Sequence, residues 1–395
     1  PTGLPPLSSP PQRSRPRIAW ITGDFRYHPV GRFLLGYLQA SRDCLVLEHT
    51  VVSLAKSEEL FRHSLSALPG VDFLDLDRQD SLRQTHAIRD LQADIAVDLN
   101  GWTSGHLMNG FLAGLAPIQV NYLGYFASTG LPTMDYWMGD RQLFPELGDE
   151  WHTESIWRLP RPFLAWQPAP GLPEALAPVL EPPTGAIRFG SFNHFRKISD
   201  SSLKLWAELL QRLPDAQLLI KGPGAEDHTT LALLRRRMHR AGVPLERIEL
   251  LPFAEKAEDH LAQYGRVDLA LDPLPNNGCT TTCEALWMGV PTLTITGSHY
   301  VSRMSTAVLQ AAGLPEGVCS DRQIFLQRAV NCADDLATFR QQRGRWRPQL
   351  QASELGDAKG LMAALEQAFI AMHQQRRTTP SGRQPVFNRD AAIVL

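Results

Sequence analysis

Residues 267–295 read VDLALDPLPNNGCTTTCEALWMGVPTLTI. An apolar run ends at Asp272-Pro273 and a second starts at Thr292. Between them lie a loop (Asn276, Asn277, Gly278), three threonines and a helical stretch from Thr280 to Met288. Strand, helix start and strand in so short a span predict a parallel sheet with its helix crossing over one face. Gly278 permits close backbone approach and positive φ. The helix start offers unpaired N–H groups and partial positive charge, which suits a diphosphate. Thr280 and Thr281 add hydroxyl donors, and Glu284, about one turn in, is placed to accept both hydroxyls of a ribose. Thr280 as a plain helix cap is the competing reading.

The alternation extends outward on both sides. Strands are expected at 187–191, 217–221, 248–251, 267–271 and 292–295, with helices at 199–212, 227–241, 256–264, 280–288 and 302–312. Upstream, 17–22, 48–53, 71–76, 94–99 and 118–123 read as buried strands, with helices such as 31–40 and 81–91 between them. The expected fold class is therefore α/β, two doubly wound Rossmann-like domains in tandem. Such sheets bind ligands beyond the carboxyl ends of their strands, and two of them predict a central cleft. The expected division is a Pro-rich linker at 1–16, a first domain at 17–160, a Pro/Ala-rich linker at 161–186, a second domain at 187–350, a C-terminal helix at 351–375 and a flexible tail at 376–395.

Composition excludes several classes. The 395 residues carry a formal charge of −2, so no nucleic-acid or anionic-membrane surface is expected. No apolar run is long enough to span a bilayer. The five cysteines are scattered without zinc spacing, which suggests reduced thiols in a cytoplasmic protein. Asp75-Leu76-Asp77 matches a D-x-D metal pattern but follows from strand alternation, so no metal role is assigned. Neither G-x-G-x-x-G nor G-x-x-x-x-G-K-[ST] occurs.

Other candidate residues fall at strand ends. Lys197 follows the first strand of the second domain, where a fixed cation would neutralise a leaving diphosphate. Phe192, Asn193 and His194 share its loop. Asp24 and His28 follow the first strand of the first domain and are a possible proton-carrying pair, with a turn before Pro29 as the plain alternative for His28. Asp98-Leu99-Asn100-Gly101 and Leu123-Gly124-Tyr125 end two more strands and would shape the acceptor side or the sugar pocket. His260 is a candidate for the nucleobase, with a plain helix-surface histidine as the alternative.

These segments together resemble the catalytic region of the O-GlcNAc transferase and SPINDLY family of protein O-glycosyltransferases. The carrying stretches are GDFRYHP (23–29), DLNGWTSG (98–105), APIQVNYLGYFASTGLPTMDY (116–136), FGSFNHFRKIS (189–199), LDPLPNNGCTTTCEALWMGVPTLTITG (271–297) and SRMSTAVLQAAGL (302–314). The resemblance implies a GT-B architecture and inverting, metal-independent transfer of a sugar to Ser or Thr hydroxyls of proteins. N-acetylglucosamine from UDP-GlcNAc is the leading donor, with GDP-fucose in a SPINDLY-like member, or a degenerate nucleotide-sugar-binding module, as alternatives. No cofactor beyond the nucleotide-sugar co-substrate is implied. Lys197 matches the lysine that stabilises the departing diphosphate, Thr280 and Thr281 the phosphate-binding threonines, Glu284 the ribose ligand and His260 the histidine near the base. Asp24 and His28 match residues proposed around the acceptor and the proton. Three positions depart from the pattern: Cys279, where relatives carry His or Thr, Leu115 in place of Arg, and Phe126 in place of Pro. Tetratricopeptide repeats usually precede this region, and the Pro-rich start is where they would join.

Overall fold

The computed structural model describes residues 13–146, 150–168, 185–254 and 256–378, together with Pro5 and Leu7. Most of the expected 1–16 linker, positions 169–184 of the expected interdomain linker and 379–395 of the expected tail lie outside the described residues. The chain forms two compact units, one of 1–167 with 357–395 and one of 168–356.

The first unit holds β1 (Arg17–Thr22), β2 (Glu48–Ser53), β3 (Val71–Asp75), β4 (Ile95–Asp98), β5 (Ile118–Asn121), β6 (Tyr136–Gly139) and β7 (Ser155–Arg158). They pair in parallel in the order β3-β2-β1-β4-β5-β6-β7. The second unit holds β8 (Arg188–Ser191), β9 (Gln217–Lys221), β10 (Ile248–Leu251), β11 (Leu269–Leu271), β12 (Thr292–Ile295) and β13 (Val318–Cys319), parallel in the order β10-β9-β8-β11-β12-β13. Both are doubly wound sheets, and each reverses its winding between its first and fourth strands. The reason is visible in β1, where Ile18, Ala19, Trp20 and Ile21 are all buried. A strand covered on both faces is a run of apolar residues, and only crossover helices can cover both faces.

The crossovers in the first unit are α1 (Pro29–Ala40), α2 (Glu59–Ser66), α3 (Ser81–Asp90) and α4 (Met108–Ala113). In the second they are α5 (Asp200–Arg212), α6 (His228–Arg240), α7 (Ala257–Ala262), α8 (Thr280–Trp287) and α9 (Met304–Ala311), while α10 (Arg322–Asp334), α11 (Leu336–Gln341) and α12 (Trp346–Ala352) follow the last strand. Their starts follow local chemistry: Asp80, Ser199 and Asp227 each cap a helix by accepting a first-turn N–H. Sequence periodicity missed β6, β7, β13, α2, α4, α11 and α12, which are two to eight residues long and too short to establish a period. It also missed α10, whose 13 residues bury only Phe325, Leu326 and Ala329 and so carry a weak apolar stripe.

The last helix, α13 (Ala358–Thr378), starts seven residues later than expected and continues through Thr378, where a frayed tail was expected. It belongs to the first unit. Buried Glu366 holds it there: one carboxylate oxygen accepts Val46 N–H and Leu47 N–H, both at 2.9 Å, and His49 Nε2–H at 3.0 Å. Trp20 Nε1–H donates to His49 Nδ1 at 3.1 Å, which fixes the tautomer. Among the described residues, no helix is long and apolar enough to cross a membrane.

Candidate functional site

In the second unit, β8 and β11 flank the point where the winding reverses, so the loops after them share one edge of the sheet. The loop after β8 carries Phe192, Asn193 and His194, then a 3-10 turn ending in Lys197. His194 Nδ1 accepts Arg196 N–H at 3.2 Å and caps that turn. The loop after β11 runs from Asp272 to Cys279 and opens α8. Lys197 Nζ donates to Asn277 O at 2.7 Å, and Thr281 Oγ1–H donates to Asn193 Oδ1 at 3.1 Å. Two sequence-distant loops are therefore joined through the residues singled out from the sequence.

Asp272 shapes the α8 loop. It is buried, its Oδ1 accepts Gly278 N–H at 2.7 Å and its Oδ2 accepts Thr294 Oγ1–H at 2.8 Å. Gly278 is required by space rather than by a positive φ. A Cβ there would stand 2.7 Å from Thr281 Oγ1 and 2.8 Å from Asp272 Oδ1. The helix cap is Cys279, with no side-chain cap bond, so Thr280 is the first helical residue and the plain capping reading fails. The N–H groups of Thr280 and Thr281 have no intrahelical acceptor by geometry, as at any helix start. Burial pulls the Lys197 ammonium below the usual lysine range, against Asp272 and Cys279, which raise it. Burial pushes Asp272 up, although its donors and Lys197 oppose this.

A second group borders the same edge. His260 Nδ1 accepts from Lys221 Nζ at 2.8 Å, so Nε2 carries the proton and donates to Glu284 Oε2 at 3.1 Å. The rings of Phe192 and Tyr264 lie 4.6 Å apart, and that of His260 is 5.9 Å from Tyr264. Tyr264 OH donates to Thr281 O at 3.2 Å, tying this aromatic group to α8. Sequence reading missed Lys221, although a buried lysine at the carboxyl end of β9 was a usable signal. Asp272, which in the sequence only marks the end of an apolar run, owes its role to Gly278 and Thr294. Glu284, expected to accept the hydroxyls of a ribose, has one oxygen held by His260.

In the first unit the winding reverses between β1 and β4. Asp24 follows β1 and Asn100 follows β4. Asn100 Nδ2–H donates to Asp24 Oδ2 at 3.2 Å, and Gly23 N–H donates to Asn100 Oδ1 at 2.8 Å. Arg26 pairs with Asp24 Oδ1 at 2.9 Å. His28 caps α1 through Val30 N–H at 3.4 Å, and its Nδ1 lies 3.6 Å from Asp24 Oδ2. The turn role and proximity to Asp24 therefore coexist. Burial lowers the His28 pKa and Asp24 opposes this, while Arg26 and Arg32 lower it further. Asp98 accepts Asn100 N–H at 3.1 Å and Gly101 N–H at 2.8 Å, yet its burial pushes the carboxyl up to about 7. Leu123, a non-glycine residue at φ 68°, turns the chain after β5. A Cβ at Gly124 would collide with Leu99 O. Leu123 and Gly124, expected among the donor ligands, thus sit in the first unit beside Asn100, while the other donor candidates sit in the second.

Asp75 is paired with Arg62 at 3.7 Å. Among the described residues, no group of three or more His, Cys, Asp or Glu side chains is placed to hold a metal ion.

A family model described as Glycosyl transferase family 41 matches residues 6–166 and 179–365. The probable UDP-N-acetylglucosamine–peptide N-acetylglucosaminyltransferase SPINDLY of Solanum lycopersicum is 30% identical over 360 residues, covering 90% of this chain and 38% of that protein. The probable UDP-N-acetylglucosamine–peptide N-acetylglucosaminyltransferase SEC of Arabidopsis thaliana is 25% identical over 402 residues, covering 97% of this chain and 40% of that one. A solved mutant of Thermobaculum terrenum O-GlcNAc transferase is 34% identical with a TM-score of 0.86, covering 95% of this chain and 72% of that chain. The chain thus spans less than half the length of these curated relatives. Its two Rossmann-like domains are of the GT-B type, as the sequence led one to expect.

Proposed function

This chain belongs to glycosyl transferase family 41, and from that premise we propose that it moves N-acetylglucosamine from UDP-GlcNAc to Ser or Thr hydroxyls of proteins, with inversion and without a metal. The observation that carries the proposal is the contact between Lys197 Nζ and Asn277 O, which sets a cation against the loop opening α8. In the proposed step the acceptor oxygen attacks the anomeric carbon. The new C–O bond forms as the bond to the diphosphate breaks, and its electron pair goes to the departing β-phosphate oxygen. Lys197, the Thr280 hydroxyl and the N–H groups of Thr280 and Thr281 offset that charge. Gly278 and Cys279 line the same turn, and Asn193 and His194 border it. Glu284 binds the ribose, and His260, oriented by Lys221, meets the base. The proton leaves the acceptor hydroxyl toward the Asp24–His28 group of the first unit. Leu123 and Gly124 contribute to sugar selection. The donor is a co-substrate, and no cofactor is required.

The test is nucleotide release, followed for UDP-GlcNAc and GDP-fucose with a Ser/Thr-rich protein acceptor. The proposal expects acceptor-dependent UDP release that falls at least about a hundredfold in Lys197→Met, since one such charge-stabilising group is worth roughly 3 kcal/mol, with the melting temperature retained. Near-normal turnover by Lys197→Met sinks the assigned role. Preference for GDP-fucose overturns the donor, and nucleotide binding without release overturns the activity.

A further inference from the structure

The described part of the second unit contains a cavity of about 320 Å³ at the amino ends of β11 and β12. The proposed donor site lies at the opposite edge of the same sheet, beyond the carboxyl ends of β8 and β11. Three or four residues of strand span only about 10–13 Å, so the two regions are near but separate. Leu269, Leu293, Leu309, Leu314 and Trp346 make an apolar wall. That volume falls at the lower end of small-molecule pockets, which are lined mainly by apolar side chains with a few orienting polar groups.

Polar residues also line the cavity: Thr292, Glu316, Arg328, Asn331, Gln342 and Arg345. Thr292 is 3% exposed, lines the cavity, and its Oγ1 has no hydrogen-bond partner. A buried hydroxyl left unsatisfied costs about 1–3 kcal/mol, and native chains rarely keep one without a use. Arg328 and Arg345 also line the cavity. Arg328 is half-buried and anchored by donating to Val318 O at 2.8 Å and to Glu316 O. Arg345 is exposed, its guanidinium 4.1 Å from the Trp346 ring. Glu316 is the one lining carboxylate, so the two guanidinium groups leave a net positive charge.

We propose that this cavity is a second ligand site, for a compact carboxylate with an apolar body. The body fills the leucine-lined space, Thr292 Oγ1–H is satisfied at the wall, and the carboxylate meets Arg328 and Arg345. A neutral ligand would leave those cations unmatched, and a larger anion such as a nucleotide would expose its polar groups to leucine side chains.

The full chain would be titrated with the fluorescent probe 1-anilinonaphthalene-8-sulfonate and the probe displaced with decanoate. One saturable site per chain is expected, with decanoate displacing the probe at least tenfold more effectively than decanol. Excess UDP should leave the signal in place. Arg345→Glu, on the surface, should weaken decanoate at least fivefold without lowering the melting temperature. Thr292→Val should weaken it while preserving or raising stability. Decanol matching decanoate, displacement by UDP, or unchanged decanoate affinity in both variants would each overturn the assignment. These outcomes are independent of sugar transfer, so the reading survives or fails apart from the proposed activity.

Discussion

Asp272 Oδ1 accepts the N–H of Gly278 at 2.7 Å, and this bond sets the shape of the turn that opens α8. The carboxylate also holds Thr294 and lies within electrostatic reach of Lys197. Asp272→Ala should leave a buried N–H and a buried hydroxyl without partners, at about 1–3 kcal/mol each. Urea unfolding should register that loss, and calorimetry should show UDP binding weakened at least tenfold. Asp272→Asn retains one acceptor and should lie between the two.

Lys221 supplies the proton arrangement of His260. With Lys221→Met, Nδ1 loses its donor and the ring no longer has a preferred tautomer, so the bond to Glu284 Oε2 becomes one of several options. Nucleotide affinity should fall by about tenfold, or roughly 1.4 kcal/mol. Lys221→Arg should restore part of it, because the donor is retained. A loss of turnover with unchanged affinity would contradict a positioning role.

Asp98 predicts a pH dependence of stability. Its folded carboxyl titrates at about 7, above the ordinary value of 3.8. The native state therefore holds more protons than the unfolded chain between about pH 4 and 7, and stability falls as pH rises through that window. Asp98→Asn should flatten this part of the curve. Denaturant midpoints at pH 5, 6, 7 and 8 measure it, and an unchanged slope in the variant would be incompatible with the assignment.

His28 is held below the ordinary histidine pKa by burial, with Asp24 opposing. If its neutral form carries the acceptor proton, kcat should decline on the acid side with a midpoint below 6.5. His28→Gln should lower kcat by 10²-fold or more and remove that limb. A limb that persists in the variant assigns the titration to another group.

The fold was legible because buried parallel strands are written as apolar runs, and RIAWIT and EHTVVS keep their expected bounds as β1 and β2. The short edge strand SIWR is only half-buried and reads like a loop. The turn that opens α8 was legible because its chemistry is local: a glycine, threonines and a helix start. Lys221 and Asp272 were harder to assign, since their effect depends on partners 39 and 22 positions away in His260 and Thr294. Hydrogen bonds between residues so far apart in the chain leave no periodic trace. The destination of α13 was equally hidden, because an amphipathic helix states that it will be covered but not by what.

That helix changes where the chain can be cut. Residues 168–356 interrupt a unit whose first strand and last helix are joined by buried contacts, with the Trp20 and Phe369 rings 5.5 Å apart. In gene terms the second unit is an insert, not a C-terminal appendage. A stop codon after Gln167 would deliver the seven-stranded sheet with Val46, Leu47 and His49 stripped of their shared acceptor and an apolar face open to water. Excising 168–356 and joining the flanks with a flexible linker would keep that acceptor in the same polypeptide.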